Sequence, residues 1–147
     1  MKKIEIGHTS SVIIMNEEGQ ILLSKRKAKE GEGMYCFPGG KREKGEKPIK
    51  AAQREIKEEL GIDIQNLKQI DVRKKRLSKI WQNIIFFTLL SDKQIKKVRN
   101  VEPNKTESID WFNIDELPEN MWEHNKQYLL DNLEKVTLIR NKLINTK

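Results

Sequence analysis

Three glutamates within five positions, Glu55, Glu58 and Glu59, sit in a segment, KPIKAAQREIKEELG (residues 47–61), that reads as a helix. Pro48 suits a first turn, where its missing N–H is not needed. Lys50, Ala51, Ala52, Gln53, Arg54, Lys57 and Leu60 are strong helix formers, and Gly61 can supply the C-terminal cap. Side chains three and four apart share one helical face, so the three carboxylates project together. Like charges at that spacing repel by a few tenths of a kcal/mol per pair, so packing gives no reason for them. A divalent cation reverses the sign, because clustered hard oxygens are what Mg²⁺ or Mn²⁺ coordinates. Ile49, Ala52, Ile56 and Leu60 form an apolar stripe beside the carboxylates, not opposite them. One side of the helix can bury while the acids look into a neighbouring cleft. Arg54 falls about 40° from Glu58 on the same wheel, close enough to orient a carboxylate.

The helix belongs to a longer pattern: Gly40, Glu46, Arg54, Glu55, Ile56, Glu58, Glu59, Gly61 and Ile62. This stretch resembles the Nudix box, with no position missing. A chance match in a chain of this length is on the order of 10⁻⁷, which sets accidental spacing aside. The resemblance implies an α/β chain: a single Nudix domain over 1–147, with a mixed sheet sandwiched between helices. It implies that Glu55, Glu58 and Glu59 hold Mg²⁺ (or Mn²⁺), joined by the main-chain carbonyl of Gly39. Gly39 and Gly40 follow Pro38, and glycine there permits the close backbone approach such a ligand needs. Glu46 is expected to hydrogen-bond Arg54 and hold the loop to the helix.

Size and composition agree with this. A chain of 147 residues is one ordinary domain, able to bury about two-thirds of its unfolded surface. Lys+Arg 29 against Asp+Glu 22 gives a formal charge of +7, a field that favours nucleotides, polyphosphates or nucleic acid. The single cysteine, Cys36, cannot form an internal disulfide, and no zinc-like Cys/His spacing exists, so a reducing cytoplasm is expected. Lys2 and Lys3 resemble a signal n-region, but Glu5, Gly7 and His8 follow where an apolar core is required. The longest apolar run, from Ile84 to Leu90, is too short to span a bilayer, and no membrane partner is expected.

Along the chain, residues 3–15 are β-rich, Asn16 to Gly19 read as a turn, and Ile21 to Leu23 begin a second strand, together a hairpin. It ends in Ser24-Lys25-Arg26-Lys27, where Nudix enzymes often carry a substrate-facing arginine; Arg26 holds that place. Tyr35 to Phe37 read as a short strand. Residues 62–72 suggest extended structure, with Arg73-Lys74-Lys75-Arg76 as a basic run between two strands. Residues 80–90 (IWQNIIFFTLL) are the strongest strand signal. Periodicity leaves residues 91–99 unsettled. Thr106 to Phe112 suits a strand, Asn113 to Pro118 a short helical turn, and residues 120–144 one long helix striped by Trp122, Leu129, Leu133, Val136 and Leu143. Trp122 is either a nucleobase-stacking residue or a core tryptophan. By resemblance, Glu107, ahead of Trp111-Phe112 and Glu116-Leu117-Pro118, is a fourth metal ligand or the general base, with Glu102 as its competitor.

A diphosphate resists water because its own charge repels a nucleophile, so a site must neutralise that charge and deprotonate an attacking water. The two histidines, His8 and His124, are far apart and no Ser-His pair exists, which favours direct attack by water. The base lies between Glu55 and Glu107. The expected reaction is hydrolysis of a nucleoside diphosphate linked to X. The residues 100–118 and 22–40 most resemble MutT-type nucleoside triphosphate diphosphatases, which implies a triphosphate, oxidised or modified bases included, cut to a monophosphate and pyrophosphate. ADP-ribose pyrophosphatases carry a proline past the box where this chain has Leu77-Ser78-Lys79, and dinucleoside-polyphosphate hydrolases a tyrosine near Ile80-Trp81. RNA 5′-end pyrophosphohydrolysis stays open because of the basic surface. So does a non-catalytic Nudix-fold binding module, although such modules usually lose box glutamates. A homodimer is compatible with the family but marked by no residue.

Overall fold

The structure is a computed structural model and describes residues 6–76 and 79–146. Its strands are β1 (Ile6–Met15), β2 (Gln20–Arg26), β3 (Tyr35–Cys36), β4 (Gly39–Lys41), β5 (Lys68–Arg76), β6 (Ile80–Leu89) and β7 (Thr106–Asn113). The helices are α1 (Pro48–Leu60), α2 (Asp92–Ile95), α3 (Glu123–Asp131) and α4 (Leu133–Asn145). Among the described residues the strands form one mixed sheet ordered β3-β2-β1-β6-β5, with β4 beside β1 and β7 beside β2. β1 and β6 run parallel in full register from Ile6↔Ile80 to Met15↔Leu89, and the other pairs are antiparallel.

The unbroken apolar run of β1 follows from burial on both faces. Val12 and Ile14 join Ile84, Phe86 and the inner stripe of α1, namely Ala52, Ile56 and Leu60. Ile13 and Met15 point the other way, with Ile85 and Phe87, against Tyr128, Leu129 and Val136 of α3 and α4. The expected α/β sandwich is therefore present, with α1 on one face and the C-terminal helices on the other.

Several local expectations need correction. The C-terminal helix is broken at Asn132, whose φ of −124° leaves helical geometry and whose Nδ2 donates to the Tyr128 carbonyl at 2.8 Å. Such a side chain competes with the backbone for its own helix bonds. Ile49, expected on the buried stripe, is exposed in the first turn of α1, and Ala51 is fully buried. The run from Arg73 to Arg76 lies inside β5, not between strands. Residues 62–67 are irregular but bury Ile62 and Ile64. Asn113 to Glu116 close a turn, Glu116 N–H donating to the Asn113 carbonyl at 2.9 Å, without a helix. Residues 91–99 contain only the short α2, started by a Ser91/Gln94 capping box. The β1–β2 hairpin pairs at Met15↔Ile21 alone; β6 lines the opposite edge of β1, and β4 pairs with Thr9, Ser10 and Ser11. Residues 3–5 of the expected first strand, and Leu77 and Ser78, lie outside the described residues.

Candidate active site

The turn before α1 is set by Gly39, whose φ of 147° lies in the region that favours glycine. A Cβ there would stand 2.1 Å from the Ser10 carbonyl oxygen, so only glycine lets β4 close onto β1. The Gly39 N–H donates to Glu59 Oε2 at 3.2 Å. At Gly40 a Cβ would meet the Glu55 carboxyl atoms at 2.6–2.7 Å, so that carboxylate rests on the bare Cα. The two glycines thus place two of the three acids.

Arg54 organises the rest. Its Nε and Nη2 donate to Glu46 Oε2 and Oε1 at 2.8 and 2.9 Å, a bidentate fork between the loop and α1. Nη1 reaches Glu55 at 3.0 Å and Glu58 at 3.3 Å, and Nη2 also caps the Lys41 carbonyl at 3.1 Å. This guanidinium holds the Glu46 carboxyl down at about 2, through its hydrogen bonds first. Burial does the opposite to Glu59, pushing its carboxyl up to about 8, helped by the charges of Glu55 and Glu102. Glu55 is raised too, by burial and by Glu58 and Glu102, against the pull of Arg54. Glu58 stays exposed on the rim.

The two loop carboxylates separate. Arg99 and Val101 N–H groups donate to the carbonyls of Leu60 and Glu59 at 3.1 Å each, satisfying the open end of α1 and docking this loop on it. Glu102 is thereby carried beside Glu55 and Glu59, whose carboxyls it raises. Glu107 sits at the bulge of β7 opposite Lys25/Arg26 and pairs with Lys25 Nζ at 3.6 Å. It is 54 % exposed.

Arg26 lies close enough to lower both Glu59 and Cys36, and its Nε donates to the Glu30 carbonyl at 2.9 Å. Its stem and the Trp122 ring both crowd Gly31, where a Cβ would be 3.2 Å from Arg26 Cδ and 2.8 Å from the ring. Trp122 is half-buried and opens α3. The two histidines stay apart, His8 beside Gln82 at 3.2 Å and His124 beside Lys75.

Sequence reasoning missed one cluster. On the face of the sheet that carries α3, the hydroxyls of Thr9 and Ser11 both donate to Asn83 Oδ1, at 3.0 and 3.2 Å. The only local signal is a polar run in each strand, His8 to Ser11 and Gln82-Asn83, and it is the parallel register that joins them.

The donor set consists of hard carboxylate oxygens, which fits Mg²⁺ or Mn²⁺. Among the described residues no three of these acids converge on one point as they stand. Arg54 turns Glu55 and Glu58 toward itself, and Gly39 holds Glu59. The raised carboxyls of Glu55 and Glu59 are what crowded, half-buried acids show when no cation balances them.

The NUDIX domain model matches residues 7–133. An oxidized purine nucleoside triphosphate hydrolase of Danio rerio is 32% identical over 117 residues, 76% of this chain and 70% of that protein. An 8-oxo-dGTP diphosphatase of Haemophilus influenzae is 47% identical over 59 residues, 40% of this chain and 43% of the relative. The chain spans only 36% of the 8-oxo-dGDP phosphatase NUDT18 of Mus musculus, to which it is 24% identical over 119 residues. A MutT NUDIX hydrolase structure from Burkholderia pseudomallei superposes with a TM-score of 0.75 at 28% identity, covering 85% of this chain and 96% of the other. No helix among the described residues is long and apolar enough to cross a membrane.

Proposed function

The chain belongs to the Nudix hydrolase family, and on that premise we propose that it hydrolyses purine nucleoside triphosphates, oxidised ones included, to monophosphate and pyrophosphate in the cytoplasm with Mg²⁺. The observation that carries this reading is the half-buried Glu55/Glu59 pair at the end of a helix whose third acid, Glu58, is exposed beside it. Glu55, Glu58, Glu59 and the Gly39 carbonyl would hold the cation, with Mn²⁺ as an alternative. Bound there, a divalent cation neutralises diphosphate charge and makes a water molecule more acidic.

The chain's own groups do the rest. Arg54 and Glu46 fix the loop against α1 so that the carboxylates meet the substrate in one arrangement. Arg26 would face a substrate phosphate, and Trp122 would stack on the base. The proton of the attacking water goes to Glu55 or to a loop carboxylate. What supports Glu102 of the two loop acids is that its charge acts on both Glu55 and Glu59, while Glu107 pairs with Lys25.

The test is pyrophosphate release from canonical, oxidised and methylated triphosphates with Mg²⁺, ranked by kcat/KM. Glu58→Gln should cut turnover by orders of magnitude and leave the melting temperature unchanged, since Glu58 is exposed. Unchanged turnover would contradict the assignment. The exposed basic run of β5 favours a second reading, 5′-triphosphorylated RNA as substrate. Including that RNA in the panel decides between them.

A further inference from the structure

Among the described residues, a cleft of about 820 Å³ opens beside the loop that joins β4 to α1. Its wall is basic: Lys41, Arg42, Lys44 and Lys47 come from the loop, and Lys79 from just ahead of β6. Its two acids are drawn to Arg54. Glu46 gives both carboxylate oxygens to that guanidinium, and Glu43 Oε1 lies 4.0 Å from its Nε. Arg42, Lys44 and Lys47 form no ion pair with any described residue. Two of the other cations are set by Trp81. Gly7 is its register partner, and a Cβ there would meet the indole at 2.5–2.9 Å, so the ring rests on a bare Cα. Lys79 Nζ stands 4.6 Å from the ring centroid and Lys41 Nζ 6.0 Å. The ring thus gathers two ammonium groups at the cleft wall.

The start of α1 faces the same problem. Its N-cap is Lys47, which makes no side-chain cap, and its first turn holds no acid. Pro48 brings no N–H, and the first helical bond runs from the Ala51 N–H to the Lys47 carbonyl at 3.0 Å. A cation at the positive end of a helix is unfavourable, and cations crowded in one wall repel each other as well. An anion reverses both signs, as phosphate does at helix starts. The five cations are spread over two segments, so a single phosphate cannot meet them all, whereas linked phosphates can. We propose that this cleft is a binding site for linked phosphates, separate from the box acids. Lys47 stands eight residues before Glu55, about 12 Å along the helix axis. The site does not rest on the hydrolase reading, since it calls for neither metal nor turnover.

The experiment is calorimetry with tripolyphosphate and orthophosphate in EDTA, where the box acids, having no cation, repel an anion. Tripolyphosphate should bind wild type with a Kd below about 1 mM, and about tenfold or more tighter than orthophosphate. Lys44→Gln with Lys47→Gln and Lys79→Gln should weaken it about tenfold or more. Lys68→Gln with Lys93→Gln and Lys96→Gln removes as much charge from exposed lysines elsewhere and should stay within about twofold of wild type. ATP in EDTA separates two sources of the same chemistry. Equal sensitivity to the cleft substitutions assigns the site to the phosphate tail of a nucleotide, and lesser sensitivity to a free phosphate chain. Should the cleft variant fold poorly, tripolyphosphate titrated into wild type should move the amide resonances of Gly45 and Lys47 and leave those of Ser108 and Asp110 in place. No binding to wild type, an equal loss in both triple variants, or Gly45 and Lys47 resonances that stay still would overturn the proposal.

Discussion

Both oxygens of the Glu46 carboxylate are taken by a single guanidinium, that of Arg54, at 2.8 and 2.9 Å. Glu46→Gln leaves one acceptor and breaks the fork, so Arg54 loses its anchor while still facing Glu55 and Glu58. The expected loss is about 10–100-fold in kcat/KM with a small change in melting temperature. The pH dependence follows from the same pair. The folded carboxyl lies near 2, below its ordinary 4.5, so its stabilisation is complete above 4.5 and is lost as pH falls through 2. Acid titrations of melting temperature should show less loss across that window in Glu46→Gln than in wild type.

Gly39 and Gly40 are adjacent but should fail differently. Gly39→Ala drives a methyl into the Ser10 backbone and should destabilise the fold, read as a fall of several degrees in melting temperature. Gly40→Ala meets only the end of the Glu55 side chain, which can swing away. It should keep most of its stability and lose activity.

Glu59 titrates near 8 without a cation, and a bound metal requires it ionised. Mg²⁺ affinity measured by calorimetry should rise with pH up to about 8 and then level off, with proton release below that point. The sign for the metal-free fold is opposite to that of Glu46. A raised carboxyl stabilises most below 4.5, and that contribution is lost as pH rises through 8. Added Mg²⁺ should therefore raise the melting temperature more at pH 8 than at pH 6.

Glu102→Gln should weaken metal binding and lower kcat/KM by tenfold or more, on the order of a loss at a supporting group. Glu107→Gln removes an exposed pair with Lys25, a contact worth about 0–1 kcal/mol, and should stay within twofold of wild type. The reverse ranking would return the loop role to Glu107.

The box helix was readable down to its ends because each signal was local: Pro48 inside the first turn, Gly61 in the left-handed cap, acids and apolar residues on adjoining faces. The order of strands was readable in outline for the same reason. What escaped was set at a distance. Nothing near Ile6–Met15 announces that its main partner is β6, and the break at Asn132 depends on a side chain choosing the Tyr128 carbonyl over solvent. Where Glu102 and Glu107 stand relative to the box was equally non-local, set by how the loop around Arg99 and Val101 caps α1. Thr9, Ser11 and Asn83 look like ordinary strand polarity until the register brings them together.

That register has a cost in time. β1 is made first and cannot complete its edge until β6 follows, with α1 lying between them in the chain. Long-range parallel pairing is slow to nucleate, because the intervening loop must close before any of its bonds form. A nascent chain on the ribosome thus carries its acidic helix on a platform half built, with Val12, Ile14 and Leu22 in place but Ile84 and Phe86 still to come, and a chain halted short of residue 89 leaves one edge of a hydrophobic strand open to a chaperone.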